Sequence, residues 1–250
     1  MTDTTIALIA DIHGNLPALE AVLADIAARG IARVVNLGDL VSGPLWPQET
    51  AAFLMKQSWV TVAGNHDRQV AFDDPATFVA SDRHAFDRLT GDQRAWLATL
   101  PPTAAIDDGR LFFCHGTPRS DTAYLLDSVE HGRLRLAMPD ELAARAAGLA
   151  AEVVACGHSH TPRLIRDGSG TLFVNPGAVG VQAYTDRDEP AHVSETGSPL
   201  ARYAIVERQR DRDWRATFVA LPYDYMAASA EAERNGRPDW AFALRTGYAG

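Results

Sequence analysis

Short apolar runs rich in β-branched residues alternate along the chain with stretches whose apolar positions recur every three or four residues, the pattern of a sheet covered by helices. Ile6–Ala10 reads as a first buried strand. Asn15 and Pro17 mark a helix start, and Leu16, Leu19, Val22, Leu23 and Ile26 share one face until Gly30 ends the helix. A second strand is expected over Arg33–Leu37, a second helix over Pro47–Gln57 and a third strand over Trp59–Ala63. Residues 68–100 carry more charge and more aromatics and read as helical with a break at Pro75, the makeup of a cap over a site. Ala104–Ile106 and Leu111–Cys114 flank Asp107-Asp108-Gly109, a hairpin turn. Asp140–Gly148 is an Ala-rich helix; Glu152–Cys156, Arg163–Arg166 and Thr171–Val174 are short strands, the last two joined by Asp167-Gly168-Ser169-Gly170. Gln182–Pro199 is polar, with Gly, Pro and Ser, and is expected as an exposed loop. Arg202–Glu207 and Trp214–Ala220 form a late hairpin before a helix from about Tyr225 to Asn235. The simplest account is one α/β domain over 1–250 with a helical cap insertion at about 68–100.

Composition narrows the class. The chain has 250 residues, 46% of them apolar and 22% charged, which suits a soluble globular enzyme with a large core. Its apolar stretches fall well short of the roughly 20 residues a membrane helix needs, and Met1–Thr5 has neither the basic start nor the apolar region of a signal peptide. A cytoplasmic location follows as an expectation. The two cysteines, Cys114 and Cys156, end apolar runs and read as core thiols in a reducing compartment rather than a disulfide. With 23 basic and 32 acidic residues the formal charge is −9, which argues against a long nucleic acid as partner. A small phosphate ester stays possible, because bound divalent cations would dominate the local field.

The candidate chemistry lies in five segments, each just after an expected strand: Asp11-Ile12-His13-Gly14-Asn15, Gly38-Asp39, Gly64-Asn65-His66-Asp67, His115-Gly116 and Gly157-His158-Ser159-His160. A strand end followed by glycine presents side chains in fixed directions and leaves the backbone open to a ligand. Carboxylate, imidazole and amide form the borderline-hard donor set suited to Mn, Fe, Zn, Co or Ni. Asp11 and His13 are two residues apart, so in extended backbone they point the same way, and His158 and His160 repeat the arrangement. Asp39 has two carboxylate oxygens and could bridge two cations, which would hold them about 3.5–4 Å apart. Singly, each segment has a plainer reading as a turn or a polar cap. Together, in one order and at one kind of position, they point to metal.

The ordered series Asp-x-His, Gly-Asp, Gly-Asn-His-Asp, His-Gly and Gly-His-x-His resembles the calcineurin-like metallophosphoesterase superfamily, and more narrowly its compact bacterial and archaeal phosphodiesterase branch. Asn175-Pro176-Gly177-Ala178-Val179-Gly180 is similar to that branch's late Asn-Pro-Gly-Ser turn. The resemblance implies a four-layer α/β/β/α sandwich of two mixed sheets with a site for two divalent metal ions. It assigns Asp11, His13, Asp39 and His160 to one metal, and Asp39, Asn65, His115 and His158 to the other. It implies direct in-line attack of a metal-bridging hydroxide on a small phosphate ester, with His66 not a ligand but the general acid at the leaving group. A phosphodiester is the substrate the branch suggests; a phosphomonoester of a nucleotide or sugar, or a catalytically silent scaffold of the same fold, are the alternatives.

Departures from the pattern carry information too. The protein Ser/Thr phosphatase branch follows Gly-Asp closely with an acidic residue and an arginine, whereas here Gly38-Asp39 continues Leu40-Val41-Ser42-Gly43-Pro44. The His-orienting carboxylate and phosphate-clamping arginine of that branch are therefore absent from those positions, which makes a phosphoprotein substrate, and a symmetrical dinucleoside tetraphosphate, poor expectations. Arg68 and Arg119 lie next to motif segments and are candidate phosphate contacts, set against a reading as solvated arginines. Asp67 stands open between orienting the site and a solvated turn, Tyr184 is a candidate pocket wall, and His84, His131 and His192 are expected at the surface. The oligomeric state is left open.

Overall fold

A computed structural model of the protein describes residues 4–209 and 213–250. The chain opens with β1 (Thr4–Ile9), whose alternate side chains are buried on both faces. That is why it reads as an unbroken apolar run. Helix α1 (Leu16–Ala28) starts where the Asn15 side chain accepts the Ala18 N–H at 3.3 Å. It buries Ala18, Leu19, Val22 and Ile26. There follow β2 (Val34–Asn36), α2 (Pro47–Leu54) and β3 (Val60–Thr61). The helical stretch after them is α3 (Asn65–Phe72), a short 3-10 turn at Pro75–Thr77, α4 (Ala80–Arg88) and α5 (Gly91–Leu97).

The second half begins with the expected hairpin, β4 (Thr103–Ile106) and β5 (Leu111–Cys114). A hairpin of β6 (Asp127–Glu130) and β7 (Arg133–Leu136) follows, then α6 (Pro139–Arg145), β8 (Val153–Ala155), β9 (Arg163–Arg166) and β10 (Leu172–Asn175). The chain continues through β11 (Ala183–Asp186), β12 (His192–Glu195), β13 (Ala201–Arg208) and β14 (Arg215–Leu221) to α7 (Tyr225–Arg234) and α8 (Pro238–Thr246).

Two mixed five-stranded sheets, ordered β14-β13-β1-β2-β3 and β4-β5-β8-β10-β9, face each other. Between them lie Ile6 and Leu8 of β1, Val206 of β13, Phe113 of β5, Val153 of β8 and Val174 of β10. Ala7 and Ile9 point the other way from β1, into the helical layer of α1 and α2. Leu142 of α6, with Leu125 and Leu126, covers the outer face of the second sheet at Cys114, Val154 and Phe173. This is the expected α/β/β/α layering. Both cysteines are buried and unpaired. Among the described residues no helix is long and apolar enough to cross a membrane.

The stretch α3 to α5 packs Val70, Ala85, Leu89 and Leu97 into the apolar cluster of α1. Two features depart from the sequence expectations. Residues 182–199 are not an exposed loop. They carry β11 and β12, which with β7 and β6 build a third, four-stranded sheet in the order β11-β12-β7-β6. Apart from Ala183, the buried residues of this segment are polar (Gln182 just before β11, and His192 and Ser194 of β12), and hydrogen bonds satisfy them, so hydropathy reads the segment as loop. A second C-terminal helix, α8, packs Ala241 and Leu244 with α7 against Val181 and Ala183.

Phe113, fully buried between the two sheets, should cost about 3–5 kcal/mol of stability when truncated to Ala, measured by urea unfolding.

Candidate metal centre and active site

The five motif segments leave the carboxyl ends of β1, β2, β3, β5 and β8. Strands β1, β2 and β3 run parallel in one sheet, and β5 and β8 run parallel in the other. Their ends therefore open at one place, as ligand-binding edges of such sheets do. Adjacent turns are stitched together by backbone bonds, Asp11 N–H to Gly38 O and His13 N–H to Asp39 O, both at 3.0 Å. Asp11, His13, Asp39, His158 and His160 all have positive φ, five of the eight such non-glycine residues among those described. The extended geometry expected for Asp11–His13 and His158–His160 is thus replaced by left-handed turns. Each costs about 1–3 kcal/mol and persists only where surrounding contacts enforce it. Gly64 shows how tight the packing is: a Cβ there would lie 2.1 Å from Asp39 Oδ1.

Asp67 is one of the enforcing contacts. It is fully buried, and its carboxylate accepts the backbone N–H groups of Asp39 at 2.8 Å, Leu40 at 3.0 Å and Gly64 at 2.9 Å. The solvated-turn reading of Asp67 is excluded, because it ties the turn after β2 to the turn after β3.

The imidazoles are aimed by their other nitrogens. Nδ1 of His13, His115 and His160 lies 2.6, 2.7 and 2.9 Å from the carbonyl oxygens of Ser42, Leu37 and Val181. Each Nδ1 is therefore the donor, and each Nε2 is turned toward the pocket. His158 is reversed: its Nε2 meets Thr122 O at 3.0 Å, which leaves Nδ1 for the pocket. His13 Nε2 and His160 Nε2 face one another at 3.1 Å, and Asp39 Oδ2 is 3.2 Å from His115 Nε2 and 3.7 Å from His13 Nε2. The donor atoms fall into two groups, Asp11, His13, Asp39 and His160, and Asp39, His115 and His158, each within 4.8 Å. Asp39 belongs to both. Asp11 Oδ2, Asn65 Oδ1 and His115 Nε2 are buried with no hydrogen-bond partner. Facing lone pairs and orphaned oxygens are costly unless a cation sits among them, so these residues fit divalent metal.

Charge in the pocket is tightly balanced. Burial pushes the Asp11 carboxyl up to about 7, and it pulls His13 down to about 4 and His158 down to about 3. Asp39 stays well below the ordinary carboxylate range in spite of its burial, because His115, His66 and His13 surround it. Burial opposes charge on His115 too, yet Asp39 raises it to about 10.

The sequence profile of the calcineurin-like phosphoesterase superfamily domain matches residues 5–196. The chain belongs to this family. A metallophosphoesterase crystal structure from Sphaerobacter thermophilus superposes with a TM-score of 0.72 at 25% identity, covering 96% of this chain and 98% of that one. An uncharacterized protein of Methanocaldococcus jannaschii is 25% identical over 261 residues, 96% of each chain. The protein is accordingly a phosphoric ester hydrolase whose residue cluster suits divalent metal.

Within this phosphoesterase, His66 lies beside the cluster: its N–H donates to Asp39 Oδ1 at 3.1 Å and its ring centroid is 5.6 Å from that of His13. Burial works against its charge, but Asp39 and Asp82 outweigh this and hold its pKa at about 9. Asp82 was not foreseen as a site residue. It comes from α4, is 2% exposed, and places Oδ1 2.8 Å from His66 Nδ1 and 2.5 Å from the donating Ser42 hydroxyl. A carboxylate missing after Gly38-Asp39 is thus supplied by the helical insertion. The available signal was its spacing: Asp82 and Ala85 share the buried stripe of α4, which Leu89 continues at the helix end.

The other candidates separate. Arg68 is held by Asp121 at 2.6 Å, and Arg119 reaches the carbonyls of Ala144 and Ala147. Tyr184 does form a wall, its ring centroid 4.7 Å from that of His160. His131 is exposed as expected, whereas His84 is half-buried and His192 is buried. A cavity of about 1150 Å³ opens over His13, Asp39, Asn65, His66, His158 and His160, walled by the third sheet and α8.

Asp67→Asn replaces an acceptor of three N–H groups with one that also carries donors. It should weaken metal retention roughly 10–100-fold in chelator competition while the far-UV circular dichroism is unchanged.

Proposed function

We propose that this chain hydrolyses a small phosphodiester at a centre of two divalent cations. Asp11, His13, Asp39 and His160 would hold one, and Asp39, Asn65, His115 and His158 the other. The observation that carries the reading is the pair of donor clusters sharing Asp39 on the floor of a cavity that His66 also lines. When bound, such a pair supplies an activated water nucleophile and neutralises phosphate oxygens. Manganese heads the candidate ions, with Fe, Ni, Co and Zn the others this donor set accepts. His66, with Nδ1 engaged by Asp82, keeps Nε2 for delivering a proton to the leaving alkoxide. Ser42 joins the two halves: its carbonyl takes His13 Nδ1 and its hydroxyl donates to Asp82.

Preference for a diester rests on the branch that the motif series resembles and on the room at the site. Of the arginines next to the motifs, Arg68 is engaged by Asp121 and Arg119 by backbone carbonyls, and neither lines the cavity; Arg135, Arg145, Arg187 and Arg237 do line it. The cavity's volume leaves room for a group on each side of the phosphorus. One catalytic domain, including its helical insertion, acting on a soluble substrate in the cytoplasm goes with this reading, and the two unpaired cysteines are consistent with it.

Protein reconstituted with Mn, Ni, Co or Zn should hydrolyse bis-p-nitrophenyl phosphate faster than the monoester and lose activity on chelation. The reverse preference would establish a monoesterase, and no hydrolysis of either would leave a scaffold. His66→Ala should lower turnover roughly 10²–10⁴-fold with metal content intact. Asp82→Asn should lose part of the same factor, roughly 10–100-fold in kcat, with little change in KM.

A further inference from the structure

The third sheet reaches the metal ligands through a chain of hydroxyls. Tyr124 OH lies 2.6 Å from Tyr184 OH and 2.7 Å from His192 Nε2. His192 Nδ1 is 2.8 Å from Pro190 O, so it is the donor nitrogen and Nε2 accepts. The Tyr124 proton therefore points to His192, and Tyr124 accepts from Tyr184, whose hydroxyl also donates to the His158 carbonyl at 3.3 Å. The order Tyr184 to Tyr124 to His192 is set by one backbone carbonyl. It consumes both phenolic protons, which leaves neither tyrosine a donor for a phosphate oxygen.

Both rings bear on the Gly-His-Ser-His segment. Tyr124 lies over His158, with centroids 4.8 Å apart and 31° between planes, and Tyr184 meets His160 edge-on at 4.7 Å. Thr122, two residues before Tyr124, takes the outer nitrogen of His158 through its carbonyl. From β12, two residues beyond His192, the buried Ser194 hydroxyl donates to Ser159 O at 2.6 Å. His158 and His160 both stand at positive φ, a conformation local sequence does not enforce.

We propose that the third sheet is a clamp on the metal centre, and that Tyr124, Tyr184 and His192 are positioning residues that fix His158 and His160 for metal binding. The clamp rests on the two-cation reading given above. It explains why a polar segment is folded into a sheet at this place: its buried groups hold ligands.

The test measures metal affinity, not only turnover. The double variant Tyr124→Phe, Tyr184→Phe keeps both rings and removes the hydroxyl chain. His192→Leu breaks the same chain from β12, away from the ligands. Chelator competition with Mn and the visible spectrum of the Co-loaded protein read the site directly. Expected are a roughly 10–100-fold weaker affinity and an altered Co spectrum in both variants. At saturating metal, KM for bis-p-nitrophenyl phosphate should stay within about twofold of wild type. Unchanged metal affinity in folded variants overturns the clamp, and so does a raised KM with metal affinity intact, which would make the tyrosines substrate contacts. Wild-type protein that takes up no metal would instead overturn the two-cation reading itself.

Discussion

A buried carboxylate must be surrounded by donors or cations, and Asp39 is the group around which this molecule is arranged. It is 1% exposed, faces His115 and His13 with one oxygen, and accepts the His66 N–H with the other. Its own N–H is tied to Asp67, and Gly64 lies so close that no side chain fits there. Isolated in a low-dielectric interior, such a charge would cost several kcal/mol. Here imidazoles from both sheets converge on it, so the two sheets are held in register at the site by electrostatics as well as by the apolar layer behind it.

That convergence demands backbone the chain would not otherwise adopt. Left-handed residues at Asp11, His13, Asp39, His158 and His160 turn each segment sharply at its strand end. Five such residues represent several kcal/mol of local strain. The sandwich core sustains it: Ile6, Leu8, Phe113, Val153 and Val174 anchor the strands immediately before the turns. The bonds from Asp11 to Gly38, from His13 to Asp39 and from Asp67 to three amides lock the turns to each other. Stability in the middle of the sheets is thus spent as geometry at their ends.

The elements outside the sandwich determine what the site can do. Helix α4 brings Asp82 to His66, so the insertion contributes a buried carboxylate to the site. Trp240 of α8 sets its ring edge against His13, with centroids 5.7 Å apart, and closes the cavity from another side. The sheet β11-β12-β7-β6 walls the cavity and touches the His158–His160 segment through Tyr184, which meets the His160 ring edge-on and donates to the His158 carbonyl. A compact sandwich becomes a deep pocket through these additions.

Sequence by itself determined the layered α/β fold, the strands of both main sheets and the residues that would gather at their ends. Those features rest on local signals: apolar periodicity for strands and helices, and short motifs in which carboxylates and imidazoles follow a strand. Tertiary structure decided what local signals do not encode. Asp82 looks like any helical carboxylate until α4 is packed, and Arg68 looks like a phosphate contact until Asp121 is beside it. His192, Ser194 and Gln182 read as loop residues because their burial is compensated by hydrogen bonds to distant partners, which no pattern of hydropathy along the chain records. The spacing of Asp11 and His13 suggested extended backbone, and only the contacts between adjacent turns forced them into left-handed conformations that still converge.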